Sequence, residues 1–159
     1  MRHKIFREPE TLAAHLDDLR GRGATIVTAN GCFELLHVGH IRYLADAKAQ
    51  GDVLVLMVNT DASMKRIKPD RQPENTDEER YEILAALEDV DYVVPLDDDT
   101  PERLLRVFRP HVHTKGTDYD LAEIPEVSLV ESLGGVVRLV GGPKIRNTRD
   151  MLKSIKEKP

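Results

Sequence analysis

"ATIVTANGCFELLHVGHIRYLADAKAQGDVLVLMVN", residues 24–59, decides the fold. Its two ends, "ATIVTAN" (24–30) and "DVLVLMVN" (52–59), are apolar runs of strand length. Between them Ile41, Leu44, Ala45 and Ala49 recur at helical spacing, with Lys48 at the edge of the stripe, and the pattern stops at Gly51. Short apolar runs do not by themselves separate strand from buried helix. Their length, their valines and the flanking Gly23 and Gly31 select strand. A strand, a helix and a second strand in this space predict a parallel βαβ unit with a right-handed crossover.

The same alternation continues outward. "DYVVPL" (91–96), "HVHTK" (111–115) and "GVVRLVG" (135–141) read as three more strands. Residues 8–20 place Leu12, Leu16 and Leu19 on one helical face. Residues 76–88 open on Thr76 with Glu79 three positions on, a capping-box spacing, and carry Tyr81, Leu84, Ala85 and Leu87. Residues 100–108 open on Thr100-Pro101, an N-cap with an N1 proline. A last helix is expected from about Asn147, carrying Met151, Leu152 and Ile155. The expected fold is α/β: a Rossmann-like, doubly wound, five-stranded and mainly parallel sheet with helices on both faces. One domain spans residues 1–159, with residues 1–22 as a helical segment packed on it. Only "MKRIKPDRQPENTDEER" (64–80) breaks the alternation, with a basic, proline-containing loop.

Composition narrows the function classes. A net charge of −5 argues against a basic nucleic-acid-binding face. No stretch approaches the ~18–20 apolar residues that cross a bilayer, and "MRHKIFREPE" lacks the apolar run of a secretory signal. The single cysteine, Cys32, excludes an internal disulfide and a multi-cysteine zinc site. A cytoplasmic protein is the expectation.

His37 and His40 stand where the first strand hands over to its helix. In an open α/β sheet, ligands bind beyond the C-terminal ends of the strands, where helix N-termini favour anions. Residues three apart share a helix face, so both imidazoles could donate to one phosphate chain. Gly31 would let the backbone turn tightly, and Gly39 would let a ligand approach the first helical turn. Surface decoration explains the same spacing equally well, and a metal site lacks an obvious third ligand. The Gly-Lys-Ser/Thr ending of a P-loop and the three-glycine dinucleotide fingerprint are both absent.

"NGCFELLHVGHIRYLADAKAQGD" resembles the HxGH signature of the nucleotidyltransferase (cytidylyltransferase-like) superfamily. It is most similar to the adenylyltransferase domains of ADP-heptose synthases. The likeness continues through "VNTDAS" (58–63), "ALEDVDYVVPLDDDTPERLL" (86–105), "KGTDYD" (115–120) and "GGVV" (134–137). It implies transfer of a nucleoside monophosphate from an NTP, ATP in the nearest case, to a sugar phosphate such as heptose 1-phosphate, with release of pyrophosphate. Two other readings stay open. One is a cytidylyltransferase acting on glycerol phosphate or a phosphonate; the other is a nucleotide-binding module that has lost turnover.

By the same resemblance His37, His40 and Lys68 are catalytic. Gly31, Cys32, Phe33 and Gly39 cradle the triphosphate, and Lys115, Gly116 and Asp118 lie near the nucleoside. Asn147, Thr148 and Arg149 open the last helix at the phosphates. Asp61, Lys65, Arg71 and Arg80 contact substrate. Mg2+ would arrive with the NTP, held mainly by triphosphate and water rather than by protein ligands. A homodimer is implied, with no nucleic-acid or membrane partner. Two motifs depart from the family. The basic loop reads "KPDRQP" (68–73) in place of Lys-Gly-x-Gly-Arg-Pro. The last motif has Asn147, Thr148 and Arg149 where Ser-Thr-Thr is usual.

Overall fold

Val53, Val55 and Met57 point to one side of the second strand while Leu54, Leu56 and Val58 point to the other, and all six are buried. A strand apolar on both faces requires cover on both faces. The computed structural model, which describes residues 1–143 and 148–157, supplies that cover.

Five strands, β1 (Ile26–Gly31), β2 (Val53–Asn59), β3 (Tyr92–Leu96), β4 (Val112–Gly116) and β5 (Val136–Val140), form one sheet. Their order is β3-β2-β1-β4-β5, and every adjacent pair is parallel. Helices α2 (Val38–Lys48) and α4 (Asp77–Ala85) cover one face through Leu44, Ala47, Tyr81, Leu84 and Ala85. Helices α1 (Pro9–Gly21), α5 (Glu102–Phe108) and α6 (Glu126–Ser132) cover the other through Leu12, Leu16, Leu104, Leu105, Phe108, Leu129 and Val130. Two further helices, α3 (Asp61–Ile67) and α7 (Thr148–Lys156), flank the C-terminal ends of the strands. The chain reverses its direction of growth between β1 and β4, so the topological switch point lies between their C-terminal ends.

The expected elements recur with three differences. The buried stripe of α2 runs through Leu44 and Ala47, while Ile41 and Ala49 are exposed. The stripe is thus rotated toward His40, which packs inward against Phe33. Helix α5 begins at Glu102 with Pro101 in the cap position, and no side chain caps it. Helix α6 had no counterpart in the sequence reading. The capping box at α4 is complete, with Thr76 Oγ1 accepting from Glu79 N at 3.3 Å and Glu79 Oε2 accepting from Thr76 N at 2.8 Å.

Candidate active site

A cleft of about 720 Å3 opens over the switch point. Asn30 and Gly31 at the end of β1, Asn59 at the end of β2, Lys115 and Gly116 at the end of β4, and Val140 at the end of β5 form its floor. The volume is in the range of a small-molecule site.

The turn from β1 into α2 shapes the centre. Phe33 adopts φ +46°, a left-handed backbone that is costly for a bulky residue. Its ring tucks back under Gly31, where a Cβ would stand 2.9 Å from Phe33 Cε2. A side chain at position 31 would therefore have to displace the Phe33 ring, and no positive φ is involved. His37 is the N-cap of α2, its Nδ1 accepting from Gly39 N at 3.1 Å. This leaves the proton of the neutral ring on Nε2. The His37 and His40 rings stack, with centroids 3.9 Å apart and planes 22° apart, and both line the cleft. Burial, helped by the nearby charge of His37, pulls His40 down to about 4, so its imidazole is neutral at physiological pH. The neutral His40 ring, the His37 ring stacked on it and the orphan N–H groups of an eleven-residue helix thus face the same space.

The basic loop is tied to this turn. Lys68 Nζ donates to Cys32 Sγ at 3.6 Å, and Arg71 Nη2 lies 2.9 Å from Oε2 of Glu34, a carboxylate that is 3% exposed. Lys68 and Arg71 both line the cleft. At the nucleoside end expected from the sequence, Lys115 Nζ donates to Asn30 Oδ1 at 3.0 Å and sits 3.6 Å from Glu126 Oε1. Burial lowers the Lys115 ammonium from its usual range, and Glu126 opposes that shift. Gly116 and Asp118 line the same wall.

Three expected substrate contacts are placed elsewhere. Arg80 is 1% exposed, donating through Nη1 to the Cys32 carbonyl and through Nη2 to Asp61 Oδ1 at 2.9 Å. The Arg80–Asp61 pair therefore buttresses the turn from beneath, which corrects the expectation that these residues form walls of the site. Lys65 is exposed on α3 and does not line the cleft. Arg66, from the same run of cations, is taken up by Asp99 at 2.8 Å and by Asp97. Thr148 and Arg149 open α7, but their side chains, and Asn147 altogether, lie outside the described residues. Sequence reasoning missed Glu34, Asn59 and Glu126. Asn59 and Glu34 sit inside quoted stretches, but nothing in the sequence pairs Glu34 with Arg71 or Glu126 with Lys115. Among the described residues no group of three or more His, Cys, Asp or Glu is placed to hold a metal.

A cytidylyltransferase-like family profile matches residues 28–153, from β1 into α7. The chain belongs to the cytidylyltransferase-like family. Among its relatives are two proteins named bifunctional protein HldE. The one from Geobacter metallireducens is 46% identical over 144 residues, covering 91% of this chain and 29% of that protein. The one from Aliarcobacter butzleri is 43% identical over 154 residues, covering 97% and 31%. The chain thus spans under a third of the length of these relatives. The crystal structure of a lipopolysaccharide core biosynthesis protein from Thermoplasma volcanium superposes with a TM-score of 0.65 at 29% identity, covering 78% of this chain and all of that one. A pantoate-β-alanine ligase from Francisella tularensis shares the fold at a TM-score of 0.63 and 15% identity, covering 91% of this chain and 68% of its own. In this cytidylyltransferase-like chain, the stacked imidazoles, the strained turn and the tethered basic loop all fall inside the matched region.

Proposed function

We propose that this cytidylyltransferase-like domain is an adenylyltransferase that transfers AMP from ATP to a sugar phosphate, with heptose 1-phosphate the leading acceptor. An acceptor phosphate oxygen forms a bond to the α-phosphorus. The bond from that phosphorus to the β-bridging oxygen breaks, and its electron pair leaves with pyrophosphate. No covalent enzyme intermediate is needed, so the protein acts by positioning and by charge stabilisation. His37 and His40 donate to phosphate oxygens as charge grows, together with main-chain amides at the start of α2. Lys68 and Arg71 draw the two anionic substrates together. Lys115 and Asp118 hold the nucleoside end. Magnesium, bound by triphosphate oxygens and water, would neutralise part of the charge; the cleft offers scattered carboxylates rather than a dedicated cage. Cytoplasmic location and a homodimer belong to this reading by resemblance alone.

The observation that carries the reading is the stacked pair of imidazoles at the N-terminus of α2, inside a cleft at the switch point. The HldE names of the relatives support an ADP-heptose product over a CDP-linked one. Pyrophosphate release from ATP with heptose 1-phosphate tests it. His37→Ala and His40→Ala should each lower kcat/KM by ~10²-fold or more. Preference for CTP with glycerol phosphate would replace the reading by cytidylyl transfer. Nucleotide binding without turnover on any acceptor would replace it by a binding module.

A further inference from the structure

A second chamber of about 660 Å3 lies between the loop at 67–74 and the exposed side of α7. Ile67, Lys68 and Arg71 line both cavities and form the throat between them. Arg71 is anchored in this throat by buried Glu34. Beyond it, Gln72 and Glu74 face the chamber from the loop, and Lys153 and Lys156 face it from α7.

We propose that this chamber is the acceptor subsite, taking a phosphorylated polyhydroxyl compound with its phosphate at Lys68 and Arg71 and its sugar ring between the loop and α7. The inference rests on the nucleotidyl-transfer reading above and assigns the place where the second substrate sits. Transfer to the α-phosphorus brings two phosphate groups into contact, and their repulsion has to be offset by fixed positive charge at the meeting point. The throat supplies two cations there, one of them held in place by a buried carboxylate. A nucleotide running from the ends of β4 and β5 to the start of α2 fills the first cleft and reaches that throat, leaving the chamber for the acceptor.

The chamber's chemistry suits a sugar. Its outer wall mixes ammonium, carboxamide and carboxylate groups, and a hydroxyl, being both donor and acceptor, can satisfy each of them. Among the described residues, Lys153 is engaged by an exposed pair with Glu157 at 3.8 Å, which is of small worth, so an incoming anion or hydroxyl competes for it easily. The loop at 68–73, which departs from the family pattern, forms one side of this chamber. Its divergence would tune the acceptor rather than the nucleotide.

The test is the Lys153→Ala/Lys156→Ala double variant of the full chain. Two quantities are compared with wild type: pyrophosphate release from ATP and heptose 1-phosphate, and calorimetric binding of heptose 1-phosphate alone. The KM and Kd for the sugar phosphate should rise about five- to tenfold, while the KM for ATP stays within about twofold. The Lys153→Arg/Lys156→Arg variant should restore acceptor binding, which a merely damaged helix would not explain. Unchanged acceptor KM and Kd, or an equal rise in both KM values, would overturn the assignment. Absence of turnover in wild type would defeat the transfer reading, but the calorimetric arm still decides the chamber. Binding that the double variant loses supports it; no binding to wild type overturns it.

Discussion

Glu126 is the residue whose role depends most on its surroundings. It is 7% exposed, its Oε2 has no hydrogen-bond partner among the described residues, and it lies beside Lys115 on the cleft wall. A buried carboxylate that is incompletely satisfied contributes little to stability by itself. What it does here is oppose the desolvation that drives the Lys115 ammonium toward the neutral form. Among the described residues, Asn30 on β1, neutral buried His113 on β4 and the Tyr119 ring at 5.6 Å also lie around that ammonium. None of them supplies a second negative charge. Glu126→Gln should therefore lower the Lys115 pKa further. The positive charge is present at low pH and lost as pH rises through that lowered value. The alkaline fall in kcat/KM for ATP should move to lower pH, and KM for ATP should rise by about tenfold, equivalent to ~1.4 kcal/mol, with kcat little changed. Glu126→Asp should recover part of the shift. A pH profile of kcat/KM for both variants checks this, and an unmoved alkaline limb would contradict it.

Among the described residues, five strands and five of the seven α-helices were legible as elements because each is an uninterrupted apolar run or a periodic stripe with recognisable ends. Helix α4 is the clearest case, with its capping box written in Thr76 and Glu79. Thr76→Ala removes the side-chain acceptor for Glu79 N and should cost ~1 kcal/mol in denaturant unfolding. No measurable change would mean that tertiary packing alone sets the start of α4. Helix α6 was not legible: it has seven residues, follows Pro125, and carries no side-chain cap. Helix α3 was not predicted either: it also has seven residues, and its N-cap is Thr60. In the site, the histidines and the turn were readable because they sit together at one strand–helix junction. Arg80 was misplaced for a definite reason. It occupies the same buried helix face as Tyr81 and Leu84, yet sequence alone cannot distinguish a cation pointing under a turn from one pointing into a cleft. Gly31 was expected to let the backbone turn tightly; what the structure shows there is the close approach of the Phe33 ring rather than an unusual dihedral angle of its own.

At the scale of the molecule, the strand order fixes where chemistry can occur. Because β1 lies between β2 and β4, the turn after β1 faces the one crevice where helices depart to opposite faces of the sheet. The turn is then braced from three sides: Arg80 and Asp61 from below, Lys68 and Glu34–Arg71 from the basic loop, and Asn30–Lys115 from β4. The stacked imidazoles project from this braced point, and in the free protein burial keeps His40 neutral down to about pH 4. On the proposed reading, a bound triphosphate would supply the anionic partner that His40 is without among the described residues, and so would stabilise its protonated form. The most direct measurement of the central claim is a titration of the imidazole nitrogen resonances of His37 and His40 with MgATP, followed across pH. Both sets of resonances should shift on binding, and the His40 pKa should rise from about 4. ATP binding that leaves both rings unmoved, with the His40 pKa unchanged, would contradict the account.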